Sequence, residues 1–79
     1  MTKVVFRKFK NGQIIALFPG IIADRLGNIV SYMHIGQHSS ASKDIVDITK
    51  LASYEEYAPL LKELKRMGYK NLKVCKRLI

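Results

Sequence analysis

Lys3-Val4-Val5-Phe6-Arg7-Lys8-Phe9-Lys10-Asn11-Gly12-Gln13-Ile14-Ile15-Ala16-Leu17-Phe18 decides how this chain folds. Two runs rich in β-branched and aromatic residues flank an Asn-Gly pair, and a two-residue Asn-Gly loop supplies the positive φ angles of a type I′ hairpin turn. The expected strands are residues 3–10 and 13–18, with Phe9 opposite Ile14, Arg7 opposite Ala16 and Phe6 opposite Leu17. One side of this hairpin carries Val4, Phe6, Ile15 and Leu17, with Lys8 nearer the tip. The other carries Val5, Phe9, Ile14, Ala16 and Phe18, interrupted by Arg7. Both sides are substantially apolar, whereas an antiparallel sheet wetted on one face alternates cleanly. Something other than solvent is therefore expected over part of the second face.

Downstream, Pro19-Gly20 reads as the end of the second strand, Asp24-Arg25-Leu26-Gly27-Asn28 as a turn, and residues 29–35 as a third strand. Ile21-Ile22-Ala23 is suited to folding over a sheet edge. Residues 36–42 are small and polar, the composition of a mobile loop. Ser42 suits the N-cap of a short helical turn through Ile48, although Ile45, Val46, Ile48 and Thr49 suit an extended segment equally.

Ser53-Tyr54-Glu55-Glu56 matches a capping box and opens the main helix. Tyr57, Leu60, Leu61, Leu64 and Met67 recur at helical spacing as its buried stripe, and Lys62, Glu63, Lys65 and Arg66 look outward. Pro59 falls inside it, where a missing N–H and a crowded carbonyl predict a kink or restart. Gly68 is placed to end the helix in a left-handed cap. Residues 72–79 follow as a fourth strand. The expected fold class is α+β: a small two-layer domain spanning residues 1–79, an antiparallel β-meander in the order β-β-β-α-β with one main helix packed on the sheet.

The chain has 79 residues and carries 14 Lys and Arg against six Asp and Glu, a formal net charge of +8. Its calculated pI is near 9.9. At this length a domain buries only roughly 60–65% of its unfolded surface, so every segment must serve one core. The single cysteine, Cys75, forms no internal disulfide and fits a reducing compartment, which makes the cytoplasm the expected location. Arg7 and Lys8 interrupt the first apolar run short of the about 7–15 residues of a signal-peptide core. The uncharged stretch 12–23 contains Pro19 and Gly20 and is too short to span a bilayer, so no membrane role is expected.

The charge favours anionic partners such as nucleic acid or an acidic protein, and it equally serves plain solubility. Lys3 and Arg7 share a face of the first strand, Tyr32 and His34 a face of the third, and Lys73 and Arg77 a face of the last. If those faces coincide, cations alternate with rings in the combination that stacks bases and follows phosphates. Lys62, Lys65, Arg66 and Lys70 extend a positive rim at the end of the helix.

Catalysis is not expected. Cys75 with His34 or His38 is a minimal nucleophile–base pair, and Lys73 and Arg77 beside the thiol favour its thiolate, but no orienting group or oxyanion motif accompanies them. His34 and His38 fall on a strand and a loop, and structural zinc takes four well-spaced ligands, so no metal is expected. The five glycines mark turns and a helix end, with no phosphate-loop spacing, and no cofactor is implied. Residues 36–42 suit an anion cradle if Ser42 opens a helix, and a plain connector otherwise.

The stretches 5–12, 16–19 and 31–38, together with Tyr54-Glu55-Glu56-Tyr57 and Gly68-Tyr69, resemble those of a family of short, functionally uncharacterised proteins from Bacteroides-type gut bacteria. The resemblance covers nearly the whole chain and implies a bacterial, cytoplasmic setting with a mobile-element or phage-like gene context. It transfers no functional residues. Two functions follow as expectations: a non-catalytic module whose basic face, through Lys3, Arg7, Tyr32, His34, Lys73 and Arg77, meets nucleic acid, or a protein-interaction module that joins as a homodimer through its second apolar face.

Overall fold

The computed structural model describes residues 2–23, 25–33, 37–41 and 43–77. It has the expected class: an α+β domain whose main helix, α1 (Tyr54–Arg66), packs on a sheet. The strands are β1 (Thr2–Phe9), β2 (Ile14–Ile22), β3 (Ile29–Met33), β4 (Gln37–Ala41), β5 (Thr49–Leu51) and β6 (Leu72–Cys75), and a 3-10 helix spans Lys43–Ile48. The order is β4-β3-β2-β1-β5, with β6 also paired to β1. The first four strands form an antiparallel meander, β5 runs antiparallel to β1, and β6 runs parallel to it.

The hairpin forms with its register one residue from the expected one. Val5 faces Leu17, Phe6 faces Ala16 and Arg7 faces Ile15. The Gly12 amide donates to the Phe9 carbonyl at 2.9 Å, and Gly12 alone of the loop takes a positive φ, 91°. With Asn11 at negative φ, type I′ and type II are ruled out, and the loop is a type I turn followed by a left-handed glycine. The Asn11 side chain accepts the Gln13 amide at 3.0 Å, a local bond that suits the longer loop.

A one-residue slip exchanges every side chain between faces. Ala16 and Phe18 therefore join Val4, Phe6 and Tyr32 under Leu60 and Leu64 of α1. On the opposite face Val5, Ile15, Leu17, Ile29 and Ala41 form a second buried cluster, with Phe9, Met33, Ile45 and Cys75 against it. The second apolar face is thus buried within the chain, partly by Ile45 of the 3-10 helix.

Three other expectations are corrected. Pro19-Gly20 does not stop β2, which runs on to Ile22; the register jumps from Phe18↔Val30 to Ile22↔Ile29, leaving extra residues on β2. A bulge is where a strand tolerates a residue without an N–H. Gln37–Ala41 of the expected loop pairs with β3 as an edge strand, since backbone bonding on one side needs no bulky side chain. The helix runs through Pro59 unbroken, forgoing the bond its missing N–H would have made to the carbonyl of Glu55, an exposed residue.

Both helix ends are as expected. The Ser53 side chain accepts the Glu56 amide at 3.4 Å, and Glu56 Oε1 accepts the Ser53 amide at 2.9 Å. At the far end Tyr69 N–H donates to Leu64 O and Gly68 N–H to Lys65 O, with Gly68 at φ 112°, a Schellman motif. Two aromatic stacks fasten the helix and the turn that follows it to the sheet: Phe6 on Tyr57, centroids 4.4 Å apart, and Phe18 on Tyr69 at 5.1 Å.

Residues 43–48, open between helix and strand in the sequence, are helical of the 3-10 kind. Ser42, Leu78 and Ile79 lie outside the described residues. Among the described residues no helix is long and apolar enough to cross a membrane.

Candidate nucleic-acid interface

The six residues singled out in the sequence separate in the fold. Lys3 and Lys73 come together, as Cα partners in the parallel β1–β6 ladder, and both are exposed. Paired strands lie roughly 4.8 Å apart, so two ammonium-bearing side chains rise side by side. Arg77, exposed beyond the end of β6, and Lys76 join them around a shallow concavity shared with Pro19, Gly20 and Cys75. Among the described residues, four cations and no carboxylate line it.

Arg7 sits on the same face of β1 as Lys3, but its guanidinium is engaged. Nε donates to Thr49 Oγ1 at 3.0 Å, and one terminal nitrogen donates to Val46 O at 3.0 Å and Thr49 O at 2.7 Å. Thr49 Oγ1 in turn donates to Ile45 O at 2.7 Å. This planar donor fork clamps the end of the 3-10 helix across the second sheet face.

Tyr32 occupies the opposite face, 3% exposed beneath α1. A hydrogen bond with the Glu63 side chain raises its pKa, and burial adds to the rise. As placed, it has no ring face open to a base. His34 lies outside the described residues, as does the His38 side chain. Cys75 is half-buried against the Val5 cluster, and its Sγ contacts the Lys73 carbonyl at 3.6 Å.

A second basic region lies at the other end of β1, where Lys8, Lys10 and Lys50 surround a shallow concavity with Asp47. Its charge is partly compensated, because the Lys8 ammonium pairs with Glu56 Oε2. The Lys8 partner holds the Glu56 carboxyl down to about 2, and the Ser53 amide reinforces this. The β1–β6 edge is thus the less compensated of the two.

Two residues of the basic edge's neighbourhood have no signal in the sequence alone. Lys76 belongs to the surface only because β6 returns beside β1, and Tyr54 is the first residue of α1, brought by the same return to face the end of β6. No family model, curated protein or solved structure matches the chain.

Proposed function

We propose that this chain is a non-catalytic, nucleic-acid-binding module of the bacterial cytoplasm that meets phosphates along the β1–β6 edge. The observation that carries the reading is the convergence of Lys3, Lys73, Lys76 and Arg77 on one concavity that, among the described residues, is lined by no acidic one. Lys3 and Lys73 are held in register by the ladder, so their repulsion is built into the folded state. An anion between them relieves it. Arg7 belongs to the fold, and Lys3, Lys73, Lys76 and Arg77 are the phosphate contacts. The single cysteine, the usage of a reducing compartment, supports the location.

Binding of a mixed-sequence oligonucleotide, followed by fluorescence anisotropy, tests this. About three to four neutralised phosphates give a slope of log affinity against log salt of about −3. Lys73→Ala weakens binding across all sequences and reduces the magnitude of that slope by about one. No binding at low salt and micromolar protein would remove the proposal.

A further inference from the structure

Next to the cationic concavity lies a second one, where β5 and β6 come end to end along the same side of β1. β5 ends at Leu51 opposite Arg7, and β6 ends at Cys75 opposite Val5. Between them neither strand pairs with Phe6; its carbonyl is met instead by the Ala52 amide at 3.0 Å. The opening at this junction is lined by Leu51, Tyr54, Tyr57, Val74 and Lys76 over a floor of Phe6. Val74, Cys75 and Lys76 line both concavities, so the two adjoin at β6, the junction on the α1 face of Phe6 and the cationic concavity on the face of Lys3 and Lys73.

The apolar part of this junction is open to solvent. Tyr54 is 66% exposed, Leu51 42% and Val74 39%. Tyr54 is nonetheless held: its ring meets Tyr57 edge-on, centroids 5.4 Å apart at 80°, and Tyr57 lies flat on Phe6. This leaves an oriented aromatic ring in an apolar notch beside Lys76, which also lines the cationic concavity.

Resting on the phosphate-binding reading above, we infer that the ligand is single-stranded nucleic acid, and that one unpaired base enters the β5–β6 junction and stacks on Tyr54 while its backbone follows Lys76, Arg77, Lys73 and Lys3. A duplex keeps its bases stacked on each other and presents only phosphates to such an edge. A single strand presents both charge and ring faces. Base–aromatic stacking tolerates any base, so the notch confers strand preference without sequence preference.

The test compares an oligothymidine with a duplex of equal length, using wild type, Tyr54→Ala and Tyr54→Phe, each checked for an unchanged circular dichroism spectrum and thermal midpoint. The wild type is expected to prefer the single strand. Tyr54→Ala loses about 5- to 150-fold of single-strand affinity, the range of one stacked base. Tyr54→Phe, which keeps the ring face, recovers it. Equal affinity for the two ligands, or an undiminished preference in Tyr54→Ala, overturns the base notch and leaves the phosphate edge standing. Failure to bind either ligand overturns both.

Discussion

Arg7 shows how one charged residue can keep a sheet face dry. In the sequence it interrupts an apolar face and counts as a phosphate contact. In the fold its guanidinium spans Val46 O, Thr49 O and Thr49 Oγ1, and so draws the 3-10 helix, with Ile45, over that face. Lysine has the charge but not the fork. Arg7→Lys is therefore expected to cost about 2–3 kcal/mol of unfolding free energy, the scale of lost hydrogen bonds to a charged donor, measured by urea denaturation. Wild-type stability in that variant would mean that the helix is held by its apolar contacts alone. Asn11-Gly12 is the other instructive case. The pair marks a hairpin, yet the same two residues serve a two-residue loop or a type I turn with a left-handed glycine, and the choice moves every β2 side chain to the other face. Local chemistry leaves both open. Packing of Ala16 and Phe18 beneath α1 accompanies the observed register.

At the level of elements, α1 is the most legible part, because its determinants are local: the Ser53–Glu56 box, the 57/60/61/64 stripe and the Gly68 cap all act within a few residues, although Met67, expected in the buried stripe, is exposed at the helix end. The box also has a long-range extension. One Glu56 oxygen accepts the Ser53 amide and the other meets Lys8, so the carboxylate joins the start of the helix to β1. Since the folded carboxyl is lowered from its ordinary 4.5 to about 2, its contribution is fully present above pH 4.5 and is lost as pH falls from there towards 2. Glu56→Gln keeps an acceptor for the cap but not the ion pair. Its urea midpoint is therefore expected to lie below that of wild type at pH 7 and to approach it at pH 3. Parallel pH profiles would show that the pair contributes nothing. β4 was hidden for the opposite reason: Gln37–Ala41 lacks the β-branched residues that announce a strand, and its pairing with β3 is a backbone affair.

For the molecule as a whole, the unreadable step is the return of β6 beside β1, which joins Thr2 to Leu72 across the full length of the fold. No local pattern encodes that parallel pairing, and the candidate interface depends on it. Lys3 and Lys73 were legible as basic residues; their adjacency was not. Tyr32 and Arg7 shared the composition of a binding surface but are taken up by the core and by the clamp. Because the cationic edge exists only in the folded state, an oligonucleotide at 100 times its dissociation constant should stabilise the protein by up to about 2.7 kcal/mol, less whatever the equally basic unfolded chain binds. For a domain of this size that is a rise in thermal midpoint of up to about 10–20 °C, abolished near molar salt. A midpoint that falls on adding oligonucleotide would place the affinity in the unfolded chain instead.

The end-to-end placement of β5 and β6 has one more consequence, for association between copies. A long continuous border would offer a template to any passing strand. Here that side of the sheet presents two short runs, Thr49–Leu51 and Leu72–Cys75, of opposite chain direction. A foreign strand laid along both would have to change its hydrogen-bonding pattern from antiparallel to parallel part-way, across the junction at Phe6. The fold thereby interrupts the lattice that a growing fibril needs, and leaves this margin of the sheet open to ligands of another kind.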